Sequence, residues 1–296
     1  MQVALRAIGS KFELDLKDNP LCRSERRYHK TIEQAIEGMR REDPPSQPKL
    51  AVPRQVASYL AALGQMSLAP KTKAIGDLGT VAYYYLLRVG EHTFKSKKKA
   101  TRTKQFRVKD VTLWKNGSVL PKTASRETLL QADQATMHVE NQKNGIKGQH
   151  IHHHATGQYD CPIRALARRV HHIMKNTTDQ NTLISAYFIG KIEKHVLADD
   201  ISKTVKQAVR HTGLLKNGYT EKLVSSHSLR AGGAMAMKLN GIDRDTIRKM
   251  GRWSSDTFLM HIHEQIGALT KGIAQAMSND VVFHNVAGPT LMGGQD

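Results

Sequence analysis

The sequence predicts an α+β chain, mostly α-helical, that carries one small antiparallel sheet. Three observations lead there. Apolar residues recur at helical spacing over most of the 296 residues. Between about 105 and 155 that spacing gives way to alternation, with Phe106, Val108, Val111 and Leu113 in one strand and Met137 and Val139 in a second. Two Asn-Gly pairs, Asn116-Gly117 and Asn144-Gly145, supply hairpin turns, because both residue types tolerate positive φ.

Taken in order, residues 1–43 hold short helical patterns, the last from Thr31 to Arg41, and Pro44-Pro45-Ser46-Gln47-Pro48 reads as a linker. The opening stretch is too short for a domain of its own and reads as the tail of one. Val56 to Leu63 forms a helix, and Lys73 to Arg88 a second. The run Val81-Ala82-Tyr83-Tyr84-Tyr85-Leu86-Leu87 is apolar on every side, so it belongs in the core and delivers Arg88 out of it. From Phe94 to Asp110 the chain is dense in Lys and Arg, with no acid before Asp110.

After the sheet, Pro162 starts a helix with Ile163, Leu166, Val170 and Ile173 in one stripe. Asp199 or Asp200 caps the next, with Ile201, Val205 and Ala208 inward. Ser225 or Ser226 caps a helix ending at Gly241, Asp243 opens a short one stopping at Gly251, and Ser254 or Ser255 opens another. No internal repeat stands out.

Lys plus Arg number 45 against 26 Asp plus Glu, a formal net charge of +19. A domain so basic repels itself, and a polyanion relieves that repulsion. No stretch approaches the roughly 18 apolar residues of a membrane span. Aromatic residues make up 5% of the chain, too few for a single-strand binder that stacks bases, so duplex DNA is the expected partner. The two cysteines, Cys22 and Cys161, have no paired spacing, and the N-terminus lacks a secretory pattern. An intracellular protein is expected.

The residues that carry chemistry are His227-Ser228-Leu229-Arg230. Positions three apart share a helix face, so His227 and Arg230 reach one point. They sit in a first turn, where free backbone N–H groups and the helix dipole also favour an anion. The following Ala231-Gly232-Gly233-Ala234 lets another backbone come close.

Around that motif lie LLRVGEHT and NQKNGIKG upstream and GIDRDTIRKMGRWSSDTFLMHIH downstream. In this order the segments, spread over about residues 50 to 275, resemble the catalytic domain of the tyrosine recombinases, or phage-type integrases. Their wording is closest to recombinases of Crypton and DIRS-type mobile elements. The resemblance implies DNA cleavage by a tyrosine hydroxyl, with a 3′-phosphotyrosyl link and no metal or nucleotide cofactor. Guanidinium groups then neutralise the charge of the pentavalent transition state.

By this resemblance Arg88 and Arg230 are the two phosphate-clamping arginines, and Glu91 braces the first. Lys143, just before the Asn144-Gly145 turn, protonates the leaving oxygen, with Lys147 and Lys115 as alternatives. His227 assists proton transfer at the nucleophile. The family's later donor falls on Arg252 or Trp253, and both stay open. The resemblance also assigns residues 1–49 to the remnant of an N-terminal core-binding helical domain with its linker, 50–280 to the catalytic domain and 281–296 to a C-terminal tail. A dimer or tetramer on DNA is the family's expectation.

One position departs from the pattern. In FLMHIHEQ, His261 stands where the family places its tyrosine, and the last tyrosine of the chain is Tyr219. Imidazole is shorter and offers nitrogen instead of a phenolic oxygen. The expectation is a retained grip on DNA with strand cleavage lost or impaired. Lys95, Lys97, Lys98, Lys99, Arg102 and Lys104 read as a phosphate-contacting loop, and Lys95-Ser96-Lys97-Lys98-Lys99 also resembles a nuclear import signal. His150, His152, His153 and His154 raise a metal site, with Cys161 as a further ligand. Their alternation fits a sheet face near DNA equally well, and no metal is assigned.

Overall fold

The computed structural model describes residues 21–24, 27–42, 49–95, 104–141 and 147–253. They fall into two compact units, Met1–Pro48 and Lys49–Asp296. In the first, strand β1 (Cys22–Ser24) pairs antiparallel with β2 (Arg27–Tyr28), and helix α1 (Lys30–Glu42) follows. The carbonyl of His29 accepts from the amides of Ile32 and Glu33, which starts that helix.

The second unit opens with α2 (Arg54–Met66) and α3 (Pro70–Tyr84), a helical hairpin. Pro70 sits at the first position of α3, where its missing N–H costs nothing. Residues 74 to 83 of α3 are all buried; most are small or apolar, while Asp77 is paired with Arg168 and the Thr80 hydroxyl donates to the Gly76 carbonyl. A short helix, α4 (Val89–His92), follows.

A four-stranded antiparallel sheet comes next, in the order β4-β3-β5-β6, from β3 (Val111–Lys115), β4 (Ser118–Val119), β5 (Gln134–Asn141) and β6 (Lys147–His154). Asn116-Gly117 turns β3 into β4, both at positive φ. Asn144-Gly145 lies outside the described residues, between strands whose register runs from Gln134↔His154 to Asn141↔Lys147. Ala135, Met137, Val139 and Ile151 line the buried face of the sheet. His138, His150 and His152 lie on the other face, their rings near one another.

Between β4 and β5, α5 (Arg126–Leu130) is capped by Ser125, whose hydroxyl accepts from the Thr128 amide at 3.1 Å. Then come α6 (Pro162–Asn176), the hairpin β7 (Ala186–Ile189) and β8 (Ile192–His195), and α7 (Ala198–His211). The last described elements of the unit are α8 (His227–Leu239) and α9 (Arg244–Gly251). One apolar core runs through Leu60, Leu78, Val81, Leu166, Ile173 and Val205 and reaches the sheet.

Several boundaries differ from the sequence reading. Val108 belongs to a 3-10 turn, Val108–Asp110, because the Asp110 carboxylate accepts from the Arg107 amide at 2.8 Å and closes it. The second helix ends at Tyr84, four residues before Arg88, since Leu86 takes a left-handed φ of 49°. Hairpin β7–β8 went unpredicted although Gly190, at φ 58°, makes a two-residue turn between Ile189 and Ile192. The helix expected from Ser254 or Ser255 and the tail from 281 lie outside the described residues.

Candidate phosphate-binding site

The site begins with a close approach of two backbones. A β-carbon on Gly232 would come within 2.1 Å of the Val52 carbonyl oxygen, and one on Gly233 within 2.1 Å of that of Tyr83. Only glycine lets α8 lie this tightly against the end of α3. The contact sets Arg230 under the turn at Leu86. Left-handed backbone costs a non-glycine residue free energy, and here it aims the Leu86 carbonyl into a cluster of arginines.

That carbonyl accepts from Arg230 Nη1 and, at 3.2 Å, from Arg252 Nη2. Arg230 also donates from Nη2 to the Gly251 carbonyl, and its guanidinium lies 4.3 Å from the centre of the Trp253 ring. The geometry is that of a cation held over an indole face. Arg252, left-handed at φ 57° where α9 ends, folds its side chain inward. It donates from Nη1 and Nη2 to Glu91 at 3.1 and 2.8 Å.

Glu91 is the counter-ion of the cluster. Its carboxylate accepts from the Arg88 amide at 2.8 Å and from Arg88 Nη1 at 3.2 Å. Arg88 Nη2 in turn donates to the Arg252 carbonyl at 3.1 Å. Burial pushes the Glu91 carboxyl up, but the charges of Arg252 and Arg230 and the Arg88 amide outweigh it and hold it low. Among the described residues, three guanidiniums against one carboxylate leave two positive charges in excess. Burial and the neighbouring guanidiniums of Arg252 and Arg88 make the Arg230 charge costly, and Glu91 offsets only part. An incoming anion would relieve it.

His227 is the first residue of α8 and lies at the exposed edge. Desolvation of its ring, then the charges of Arg230 and Lys95, push its pKa down. Lys95 folds back over α4, where a β-carbon on Gly90 would meet its Nζ at 2.7 Å. The sequence reading put Lys95 in the basic loop and did not foresee this position.

It also missed His92, which directly follows Glu91. His92 is 1% exposed, and its Nδ1 lies 3.1 Å from the Arg88 carbonyl, which it serves as donor. Its Nε2 is buried without a hydrogen-bond partner among the described residues. Burial drives its pKa down to about 4, against the opposing effects of the Arg88 carbonyl and Glu91.

The structure therefore brings together Arg88, Glu91, Arg230, Arg252 and Trp253, with His227 and Lys95 beside them. Lys104 is elsewhere, paired with Glu140 on the surface. Lys143, His261, Lys97, Lys98, Lys99 and Arg102 lie outside the described residues. Among the described residues no group of three or more His, Cys, Asp or Glu side chains is placed to hold a metal ion, and no helix is long and apolar enough to cross a membrane.

No family model matches the chain, and no curated protein matches it in sequence. Among solved structures it is similar to the site-specific recombinase XerH bound to a palindromic difH substrate in a post-cleavage complex. That match has a TM-score of 0.50 at 15% identity and covers 79% of this chain and 54% of that one. The chain thus spans about half the length of XerH. XerA recombinase matches at 0.46 with 15% identity, covering 92% and 90% of the two chains. The Tn1549 transposon integrase in complex with transposon right end DNA matches at 0.42 with 10% identity, covering 94% and 79%. The similarity to XerH shows the fold: this chain carries the α+β fold of a tyrosine-recombinase catalytic domain.

Proposed function

We propose that this chain binds duplex DNA and holds one phosphodiester group against Arg88, Arg230 and His227, as a recombinase-like protein whose strand cleavage is lost. The observation that carries this reading is the excess of two positive charges around Glu91 at the start of α8. A phosphodiester brings one negative charge, and its pentavalent transition state brings two. A site with this excess suits the second better than the first, and that difference is what accelerates a reaction.

Support comes from the net charge of +19 and from XerH, the fold relative solved with its difH substrate. In this reading Arg252 braces Glu91 and Trp253 holds Arg230, while Lys143 serves the leaving oxygen. Lys97, Lys98, Lys99 and Arg102 contact flanking phosphates. The motif wording supports descent from a Crypton or DIRS-type mobile element, and the lysine run supports entry into a nucleus. Assembly as a dimer or tetramer on DNA completes the reading.

Loss of cleavage rests on His261 in the tyrosine position. The same substitution favours a second reading, a DNA-binding protein retained without any catalytic use. Nicked duplexes of randomised sequence, followed by a denaturing gel, test both. The His261→Tyr chain should form a covalent adduct and the unmodified chain none. An adduct on the unmodified chain would overturn the lost-cleavage reading, and no adduct on either favours the non-catalytic one. Arg230→Ala should weaken duplex binding about tenfold or more, as expected for losing a charged hydrogen-bond donor to phosphate. If it matches Lys203→Ala, a change on the exposed face of α7, the pocket does not hold the phosphate.

A further inference from the structure

A second cationic site lies at the far end of α3. There a cavity of about 210 Å³ opens between the end of α2, α3, the start of α5 and one face of α6. Lys73, Arg126, Arg168, His171 and Lys175 line it, and Asp77 is the one carboxylate that does so among the described residues. Asp77 is already engaged, since Arg168 donates to its Oδ1 from Nε at 2.8 Å and from Nη2 at 2.6 Å. Lys73, Arg126 and Lys175 form no ion pair among the described residues. Asp77 also feels Lys73 and Arg169, and Glu127 acts on Arg126 and His171 at the rim, yet the basic side chains outnumber these two carboxylates.

The walls are built and not merely exposed. Arg169 is 1% exposed, and its guanidinium donates to the carbonyls of Ile184 and Ala186. His172 accepts from the Phe188 amide at Nε2, 3.2 Å away, so its proton sits on Nδ1 as a donor. Burial first, and then the charges of Arg169, His171, Lys73 and Lys175, push the His172 pKa down to about 4.

We propose that this cavity binds a compact soluble polyphosphate, a chain of two or three phosphate groups. The proposal goes beyond the phosphodiester pocket and does not depend on it. From Lys73 to Tyr84, α3 alone separates the two by roughly 16 Å, and they share no residue. The volume is below the usual range of pockets that enclose a drug-sized ligand, so the cavity suits a compact anion. Several fixed cations around so small a space suit closely linked phosphates better than one isolated charge.

The test is calorimetric titration of the whole chain with inorganic tripolyphosphate at constant ionic strength, without divalent cations. Arg126 and Lys175 are exposed, so Arg126→Gln with Lys175→Gln leaves the fold intact, which melting without ligand verifies. The expected result is saturable binding whose Kd rises about tenfold in that double variant. It should stay unchanged in Lys203→Gln and in Arg230→Ala. Lys73→Gln, on a different helix, should weaken it as well. Binding that is equally strong in the double variant, or lost in Arg230→Ala instead, overturns the proposal. So does a double variant whose affinity for duplex DNA falls by the same factor, because the DNA backbone is then the occupant.

Discussion

Glu91 is the residue on which the arginine cluster depends. It is almost fully buried and is the carboxylate that Arg88 and Arg252 both reach. Removing one partner of a buried ion pair leaves the other charge uncompensated. Glu91→Gln should therefore cost about 3 kcal/mol or more in denaturant unfolding. Sulfate should restore part of that loss beyond what chloride does at equal ionic strength, since an anion can take the place of the carboxylate. Equal responses to the two salts would show that the cluster does not accept an anion. His92 gives a second prediction, on pH. Its folded pKa of about 4 lies below the ordinary 6.5, so the folded state holds fewer protons than the unfolded state between those values. The stability it contributes is present above pH 6.5 and is lost as pH falls toward 4, up to about 3 kcal/mol. His153 and His172, also near 4, act in the same direction. His92→Asn keeps a donor near the Arg88 carbonyl and removes the titration, so its stability should fall less between pH 7 and 4.5. Parallel losses in the two proteins would place the acid sensitivity elsewhere.

At the scale of elements, the site depends on how α8 lies against the end of α3. Gly233→Ala puts a carbon 2.1 Å from the Tyr83 carbonyl oxygen and 2.4 Å from Leu86 Cδ2. The helix must move away, at a cost of about 1–3 kcal/mol, and Arg230 moves with it. Duplex affinity should drop at least as far as it does in Arg230→Ala, while far-UV dichroism stays close to that of the parent. Unchanged affinity would mean that this contact does not position Arg230. The same contact marks what could be read from the sequence. The glycine pair announced a close approach, and the spacing of His227 and Arg230 announced a shared helix face. Arg88 and Glu91 were legible through the resemblance of LLRVGEHT to the tyrosine recombinases, which implies a phosphate-clamping arginine braced by an acid. Arg252 and Trp253 could not be separated, because their roles depend on a left-handed residue at the end of α9 that turns the first inward and lays the second over Arg230. The left-handed turn at Leu86 left no mark either, since nothing in a leucine signals positive φ. The hairpin β7–β8 did carry a signal, Gly190-Lys191 between Ile189 and Ile192, but its strands are only four residues long.

For the whole molecule the question is whether its charge acts as a diffuse field or through placed groups. A net charge of +19 attracts any polyanion, and that attraction weakens as salt rises, because binding releases counterions from the DNA. The logarithm of duplex affinity should fall linearly with the logarithm of salt concentration, by about 0.9 for each phosphate neutralised. Arg230→Ala should lower affinity at every salt concentration and reduce the slope by about one. Lys104→Ala should do much less, since Lys104 is exposed and its charge is already matched by Glu140. The contrast matters because both variants lose one positive charge. A diffuse field would register the two losses alike, whereas a built pocket responds to Arg230 alone. Overlapping salt plots for the two variants would reduce the chain to a generally basic DNA binder, with the arginine cluster a matter of folding only.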